Sequence, residues 1–398
     1  MKWWTRFIER RAQTWALSRL QRWSEMGIGG GPTVAGVDVT PEKALSVPSV
    51  FACVSVISQD VAKTPIKLRQ RVAEDTFEDA LSHPLYELLN SLPNPETTAF
   101  SFKQTMMLDL LAHQRAYAEI VRVDGQIVAL WRLDPEAVIV DRDEQRRKRY
   151  RVTLPNGQPQ TWLFDASQPP IFELTHPSPI QHCRDLIGTA LALQTYVGKF
   201  FAHGARLNGI LQADHLLEED AKASLSRSFA EWFAGPQNAF KTAVLEQGVK
   251  FVPLAAPNDD AQLNETMMTI AVQIAGTFRV PPWKIGDLTK TSYSNMEAGA
   301  IEYATSTLDP YLNCWEHALR RDVLTSRQYG RYDVLFDRST LIRADVKSLH
   351  EALARGRDAG YYSVNDVRRK LGENPIGPEG DVYEANANLK PIGEGAAS

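Results

Sequence analysis

The chain has 398 residues, 43% of them hydrophobic and 23% charged, with 44 basic against 48 acidic side chains and a net charge of −4. That length has room for two or three structural units and a sizeable core, and the composition is ordinary for a soluble globular protein. The slight acidity argues against a surface built to grip nucleic acid along its length, and no apolar run approaches the roughly 20 residues of a membrane span. A surface past which a polyanion slides is still compatible with this charge, because tight phosphate contacts would hinder sliding. Cys53, Cys183 and Cys314 are widely spaced and never in a C-x-x-C pair, which predicts reduced, buried thiols rather than a disulfide frame or a zinc site.

In chain order, residues 1–25 read as a basic amphipathic helix, with Trp4, Ile8 and Trp15 near one face and Arg6, Arg10, Arg11, Arg19 and Arg22 elsewhere. Such a segment suits a membrane surface or a partner, and an arm packing on a neighbouring subunit is the preferred reading. It lacks the uninterrupted apolar core of a secretory signal, which predicts a cytoplasmic origin. Gly27 to Gly31, followed by Pro32, reads as a linker. A helix is predicted over 46–68 (Val50, Val54, Ile57, Val61), ending at Pro65 and running into a short strand, and another over 99–115. A β-rich block follows. YAEIVRV and QIVALWRL are joined by Asp124-Gly125, a two-residue hairpin signal. AVIVD, RYRVTLPNGQ and QTWLFD continue the block, with Asn156-Gly157 as a second turn and the basic run Arg146–Arg149 as a solvated loop.

Residues 187–204 form a small-residue-rich helix, followed by a strand in NGILQA, a helix over 218–233, Gly235-Pro236 and a strand in AVLE. A helix is then predicted over 259–278, where Leu263, Met267, Ile270, Ile274 and Phe278 recur at three- and four-residue steps. Pro281 and Pro282 stop it. A polar loop, Trp283–Tyr293, leads to Ser294 and Glu297, an S-x-x-E capping box. The next helix, over 295–325, would span about 45 Å, and Pro310 must kink it. That is long for a compact domain and points to a helix that serves an assembly. A strand in YDVLF, helices over 343–359 and 364–371, and a loose tail after Asn388 complete the chain.

The motifs of common enzyme chemistry are missing. There is no G-x-x-x-x-G-K-[ST], G-x-S-x-G, H-E-x-x-H or helix-opening G-x-G-x-x-G. His176, His182, Cys183 and Asp185 match no common metal-ligand spacing and read as a structural connecting loop. Asp259, Asp260 and Glu265 occupy the first turns of a helix, where acids complement the macrodipole, and Asp337 and Asp345 flank a helix start in the same way. No catalytic residue, metal site or cofactor is expected.

Several segments in fixed order resemble the portal proteins of tailed bacteriophages, specifically the family of long-tailed phages and related prophages. The resemblance covers roughly Ser46 to Ile392. It is carried by SVPSVFACVSVISQDVAKTPIKL, HPLYELLNSLPNPETTAFSF, AYAEIVRVDGQIVALWRLDPEAV, NAFKTAVLEQGVKFVPLAAPNDDAQLNE, IAGTFRVPPWKIG with the following YSNMEAG and TLDPYLNCWEHAL, and the C-terminal LFDRSTLIRADVKS and AGYYSVNDVRRKLGENPI. Two departures stand out. Gln114-Arg115 lies where the family often has Gly-Asn, and Glu379-Gly380-Asp381 lies where it has Gly-Gly-Asp.

The resemblance implies an α+β portal fold with wing, helical stem, clip and tunnel-loop elements, assembling into a ring commonly of twelve subunits at one capsid vertex. Double-stranded DNA is packaged and ejected through its channel. Residues 1–31 would be the arm and linker, 32–186 the β-rich wing, 187–204 and 259–278 the stem helices, and 205–258 the clip. Residues 279–295 would be the tunnel loop, 296–326 the long kinked wing helix and 327–398 the C-terminal wing and crown. The implied partners are the terminase large subunit, the head-tail adaptor and the major capsid protein, with no membrane. The implied location is the virion, after assembly in the host cytoplasm. Infectious phage, defective prophage and gene transfer agent stay open. Trp283, Lys284, Asp287, Lys290 and Thr291 are the expected channel set. Lys284 and Lys290 would form cationic rings at the constriction with Asp287 offsetting part of the attraction. The alternative, that both lysines face solvent or the neighbouring subunit, stays open beside it. Trp283 is expected to pack the loop base, since duplex bases are not exposed for stacking. A nucleic-acid-processing enzyme with an unfamiliar site is the rival from another class, and a membrane-surface scaffold is a third reading.

Overall fold

The structure, a computed structural model, describes residues 33–73, 76–153, 157–202, 209–213, 218–233, 249–253, 260–287, 293–324, 328, 330–341, 346–371 and 373–384. The expected amphipathic arm at 1–25, the linker before Pro32, the strand in AVLE and the tail after Asn388 lie outside these residues. The chain divides into one unit ending at Phe336 and a second beginning at Asp337.

The first unit is built around two helices, Pro48–Lys63 and Ala99–His113, which pack on each other. Pro48 opens the first helix with its φ already set for a helix and no donor to lose. Its buried stripe is Val50, Cys53, Val54, Ile57 and Val61, and the facing stripe is Phe102, Met106 and Leu110. Lys103 is also buried, and its ammonium donates to the Thr64 carbonyl at 2.9 Å, at the C-terminal end of Pro48–Lys63. Burial lowers the Lys103 pKa to about 8. Ala99–His113 ends where Gln114 takes φ 66°. That left-handed position favours glycine.

Among the described residues the strands form three three-stranded antiparallel sheets and one two-stranded pair. The hairpin forms as expected: Arg115–Val123 pairs with Gln126–Leu133, and Asp124 and Gly125 both have positive φ, at 52° and 79°. That is the pattern of a type I′ turn. The rest of the β-rich block does not continue this sheet. Val138–Arg142, Lys148–Thr153 and Pro159–Leu163 form one of their own, and Ile171–Thr175 returns to pair with Arg115–Val123. The third sheet joins distant segments, with Tyr332–Phe336 antiparallel to Ile66–Ala73.

The basic run at 146–149 is only partly a loop. Arg146 sits in the turn with φ 62°, but Lys148 and Arg149 belong to a strand. Arg147 pairs with Asp143, Arg149 with Asp141, and Lys148 with the buried Glu173. These charges are consumed within the fold. Burial works against the Glu173 carboxylate, but Lys148 and the Tyr150 hydroxyl, which donates at 2.9 Å, hold it below the usual range.

The long helix is not uniform. It runs as Tyr293–Glu302, then a π-helical stretch Tyr303–Leu308, then Asp309–Asp322 with Pro310 in its first turn. Pro310 has no N–H, and its ring would meet the carbonyl four residues back. The wider π turn absorbs this conflict. Ser294 lies inside this helix rather than at the predicted cap. Its C-terminal part carries Trp315 into the centre of the unit, 1% exposed. There the indole N–H points at Met107 Sδ at 3.0 Å, with Phe172 and Phe336 at ring distances of 5.4 and 6.4 Å.

Two further helices, Arg184–Ala202 and Asp260–Thr277, pack on one another, and the second also touches Pro48–Lys63. Gly188, on the small-residue-rich helix, lies against Thr33 within the chain. A Cβ there would lie 2.4 Å from Thr33 Oγ1. Beyond these helices, Gly209–Gln212 pairs with Lys250–Pro253, a strand not foreseen, and Glu219–Phe233 forms the expected helix between them.

In the second unit, Val346–Asp358 and Val364–Leu371 are helical. Ser363 and Asp366 cap the latter reciprocally: the Ser363 N–H donates to the Asp366 carboxylate and the Asp366 N–H to Ser363 Oγ. Asn365, 1% exposed, donates to Gly377 O and accepts from the Ile376 N–H, which ties down the following loop.

Candidate functional site

The loop after Asp260–Thr277 begins with a Schellman-type stop. Val280 N–H donates to Ala275 O at 2.9 Å and Arg279 N–H to Gly276 O at 3.0 Å, with Arg279 at φ 56°. The helix therefore ends before the prolines expected to stop it. Pro281 and Pro282 shape the next element instead, a single 3-10 turn over Pro282–Ile285 closed by Gly286 at φ 96°. The Arg279 carbonyl accepts from Thr307 Oγ1 at 2.6 Å, and Thr307 lies in the π stretch.

Within the turn, Trp283 is half-buried and reaches Gly299, where an added Cβ would lie 3.3 Å from its Nε1. Trp283 thus packs at the loop base against the following helix. Lys284 points back into the body. Its ammonium lies 3.1 Å from Asp60 Oδ2, 4.4 Å from the Tyr303 ring centre and 5.4 Å from that of Trp283. Asp60, buried on Pro48–Lys63, also pairs with Lys63 through Oδ1 at 2.6 Å. Burial, and then the nearby Asp60 carboxylate, push the Tyr303 phenol far above its ordinary pKa. Asp287 is half-buried, and its N–H donates to Pro282 O at 3.0 Å. Lys290 and Thr291 lie outside the described residues.

The structure thus gathers Trp283 and Lys284 with Asp60, Tyr303 and Thr307, three residues the sequence reading did not single out. A signal for Asp60 existed: it is an acid on the otherwise apolar stripe between Ile57 and Val61. On the other side of the π stretch lies a cleft of about 330 Å³, whose lining includes His176, Arg279, Thr307, Pro310 and Tyr311. The His176 ring meets that of Tyr311 at a centroid distance of 4.6 Å and a 44° tilt, and burial lowers the His176 pKa. Cys183 is buried with its thiol pushed up to about 12, and Asp185 accepts from the Val34 N–H at 3.2 Å. Among the described residues, no three His, Cys, Asp or Glu side chains are placed to share a metal ion.

The sequence profile of the family described as "Phage portal protein" matches residues 48–372. The chain belongs to that family. The portal protein of Enterobacteria phage HK97 is 28% identical to this portal chain over 367 residues, covering 89% of the chain and 85% of the phage protein. Among solved structures, a chain in the virion of a native gene transfer agent particle is similar with a TM-score of 0.56 at 21% identity, covering 89% of this chain and 99% of the other. A chain in the neck of a native particle, computed with C12 symmetry, is similar with a TM-score of 0.53 at 20% identity, covering 88% and 98%. The fold is the α+β portal fold.

Proposed function

We propose that this chain assembles into a ring of about twelve copies that forms the DNA channel at one vertex of a phage or gene-transfer particle. The ring admits double-stranded DNA during packaging, docks the terminase large subunit and then the head-tail adaptor, and sits in the major capsid shell of the virion after assembly in the host cytoplasm. Residues 32–186, 296–326 and 327–398 form the wing and crown, 187–204 and 259–278 the stem, 205–258 the clip and 279–295 the tunnel loop. The protein performs no catalysis and holds no cofactor; the motor it docks supplies the energy. The observation that carries this reading is the family match across residues 48–372. The C12 neck that contains a similar chain supports the twelvefold ring.

The loop base supports the assignment of residues 279–295. A constriction needs its backbone held firmly at the base while few charges face the DNA, because counterion release strengthens binding with each phosphate neutralised. Native mass spectrometry with negative-stain images of the same purified protein tests the reading. Rings of about twelve copies with a central hole are expected, together with no nuclease or ATPase turnover. A species that stays monomeric at every concentration, or measurable turnover, would count against it.

A further inference from the structure

Lys284 is one of the two lysines expected to line the channel, yet its charge is already engaged. It faces a carboxylate that is only 11% exposed and is itself 21% exposed. Two aromatic faces enclose it, Tyr303 at 4.4 Å and Trp283 at 5.4 Å. A lysine in this setting gains from ion pairing and from cation–π contact together, and to reach a phosphate it would have to abandon both. The partners come from three separate parts of the chain: Asp60 from the first core helix, Trp283 from the loop, and Tyr303 from the start of the π stretch.

A second tether lies on the other side of the twin prolines. Thr307 donates to the Arg279 carbonyl at 2.6 Å. Tyr303 and Thr307 are four residues apart within the π stretch, so both tethers attach the loop to the same turn of the kinked helix. Residues 279–285 are therefore held at two points, and Gly286, at φ 96°, closes the turn they form.

We propose that Lys284 is a positioning residue: it anchors the tunnel loop to the wing through Asp60 and Tyr303, and it does not present charge to DNA. The proposal rests on the channel reading above. It makes the Asp60 carboxylate the fixed point to which the loop base is held.

The test uses the full chain with Lys284→Met, Lys284→Arg and Asp60→Asn, and two readouts. Hydrogen exchange follows the Lys284, Gly286 and Asp287 amides, each bonded within the turn. The salt dependence of binding to a short DNA duplex reports phosphate contacts, since loss of one such contact shallows the slope by about one unit. An anchor predicts that Lys284→Met and Asp60→Asn each speed exchange by about tenfold or more, while Lys284→Arg largely preserves protection. It also predicts that Lys284→Met leaves the salt slope unchanged. A shallower slope with unchanged exchange in Lys284→Met would overturn the proposal, as would unchanged exchange in Asp60→Asn. If the unsubstituted protein forms no ring, the ring reading fails, and the exchange measurement on the single chain still decides the anchor.

Discussion

The centre of the first unit and its pair of packed helices solve the same problem differently. Around Trp315 the chain closes its own core. The indole meets Met107, Phe172 and Phe336, and the nearby polar groups are answered locally, with Glu316 accepting from the Phe336 N–H at 2.7 Å and Asp109 gripping Arg132 through two bonds of 2.6 and 2.7 Å. The pair Arg184–Ala202 and Asp260–Thr277 buries Ile187, Ala190, Ile270, Ile274 and Ala275, but leaves Tyr196, Met268 and Val272 at 47%, 53% and 38% exposure. Met268 and Val272 are four residues apart on one helix face. The first region is finished within one chain; the second has apolar surface that a ring of neighbours would cover. On the proposed ring, folding and assembly would then fall to different residues.

The largest expected effect that tests this contrast is Trp315→Ala. Emptying the centre of a closed core should cost about 3–5 kcal/mol, read by denaturant unfolding of the single chain, and should abolish folding if the margin is smaller than that. A loss below about 1 kcal/mol would show that the core is not where stability lies.

Next comes Lys103, the charge buried against the end of Pro48–Lys63. Its folded pKa of about 8 lies below the ordinary value of 10.5, so the unfolded chain binds more protons between those values. Stability should therefore rise as pH goes from about 8 to 10.5, and the cost of the buried charge should be fully present below pH 8. Lys103→Met should remove this rise, whose ceiling is roughly 3 kcal/mol. An unchanged stability profile between pH 8 and 10.5 in the variant would contradict the assignment.

On the helix pair, Met268→Asp combined with Val272→Asp should change single-chain stability by about 1 kcal/mol or less while abolishing ring formation in native mass spectrometry. Rings that persist would break the contrast. The smallest effect concerns Arg279, whose left-handed backbone is unfavourable for a residue with a Cβ. Arg279→Gly should stabilise the folded chain by about 0.5–1 kcal/mol, measured as a shifted denaturation midpoint at constant slope.

The sequence made local features legible and long-range ones obscure. The Asp124-Gly125 hairpin could be read because both strands and the turn lie within one short window, the helix read over 46–68 because its apolar spacing is regular, and the helix at 364–371 because Ser363 and Gly372 bound it in the sequence. The pairing of Tyr332–Phe336 with Ile66–Ala73 could not, since nothing local in either strand names its partner. Pro310 announced a kink but not the π stretch that absorbs it. At the loop, Lys284 was visible as a charge, but its partner Asp60 is 224 residues away. Nothing local to the loop distinguishes a lysine aimed at DNA from one aimed at a buried carboxylate.

A cryo-electron microscopy structure of the assembled ring tests the central claim most directly. The account predicts Tyr196, Met268 and Val272 buried against the neighbouring copy and the Lys284 ammonium still on Asp60. A ring in which those three side chains stay exposed to solvent, or in which Lys284 leaves Asp60 to point into the channel, would contradict it.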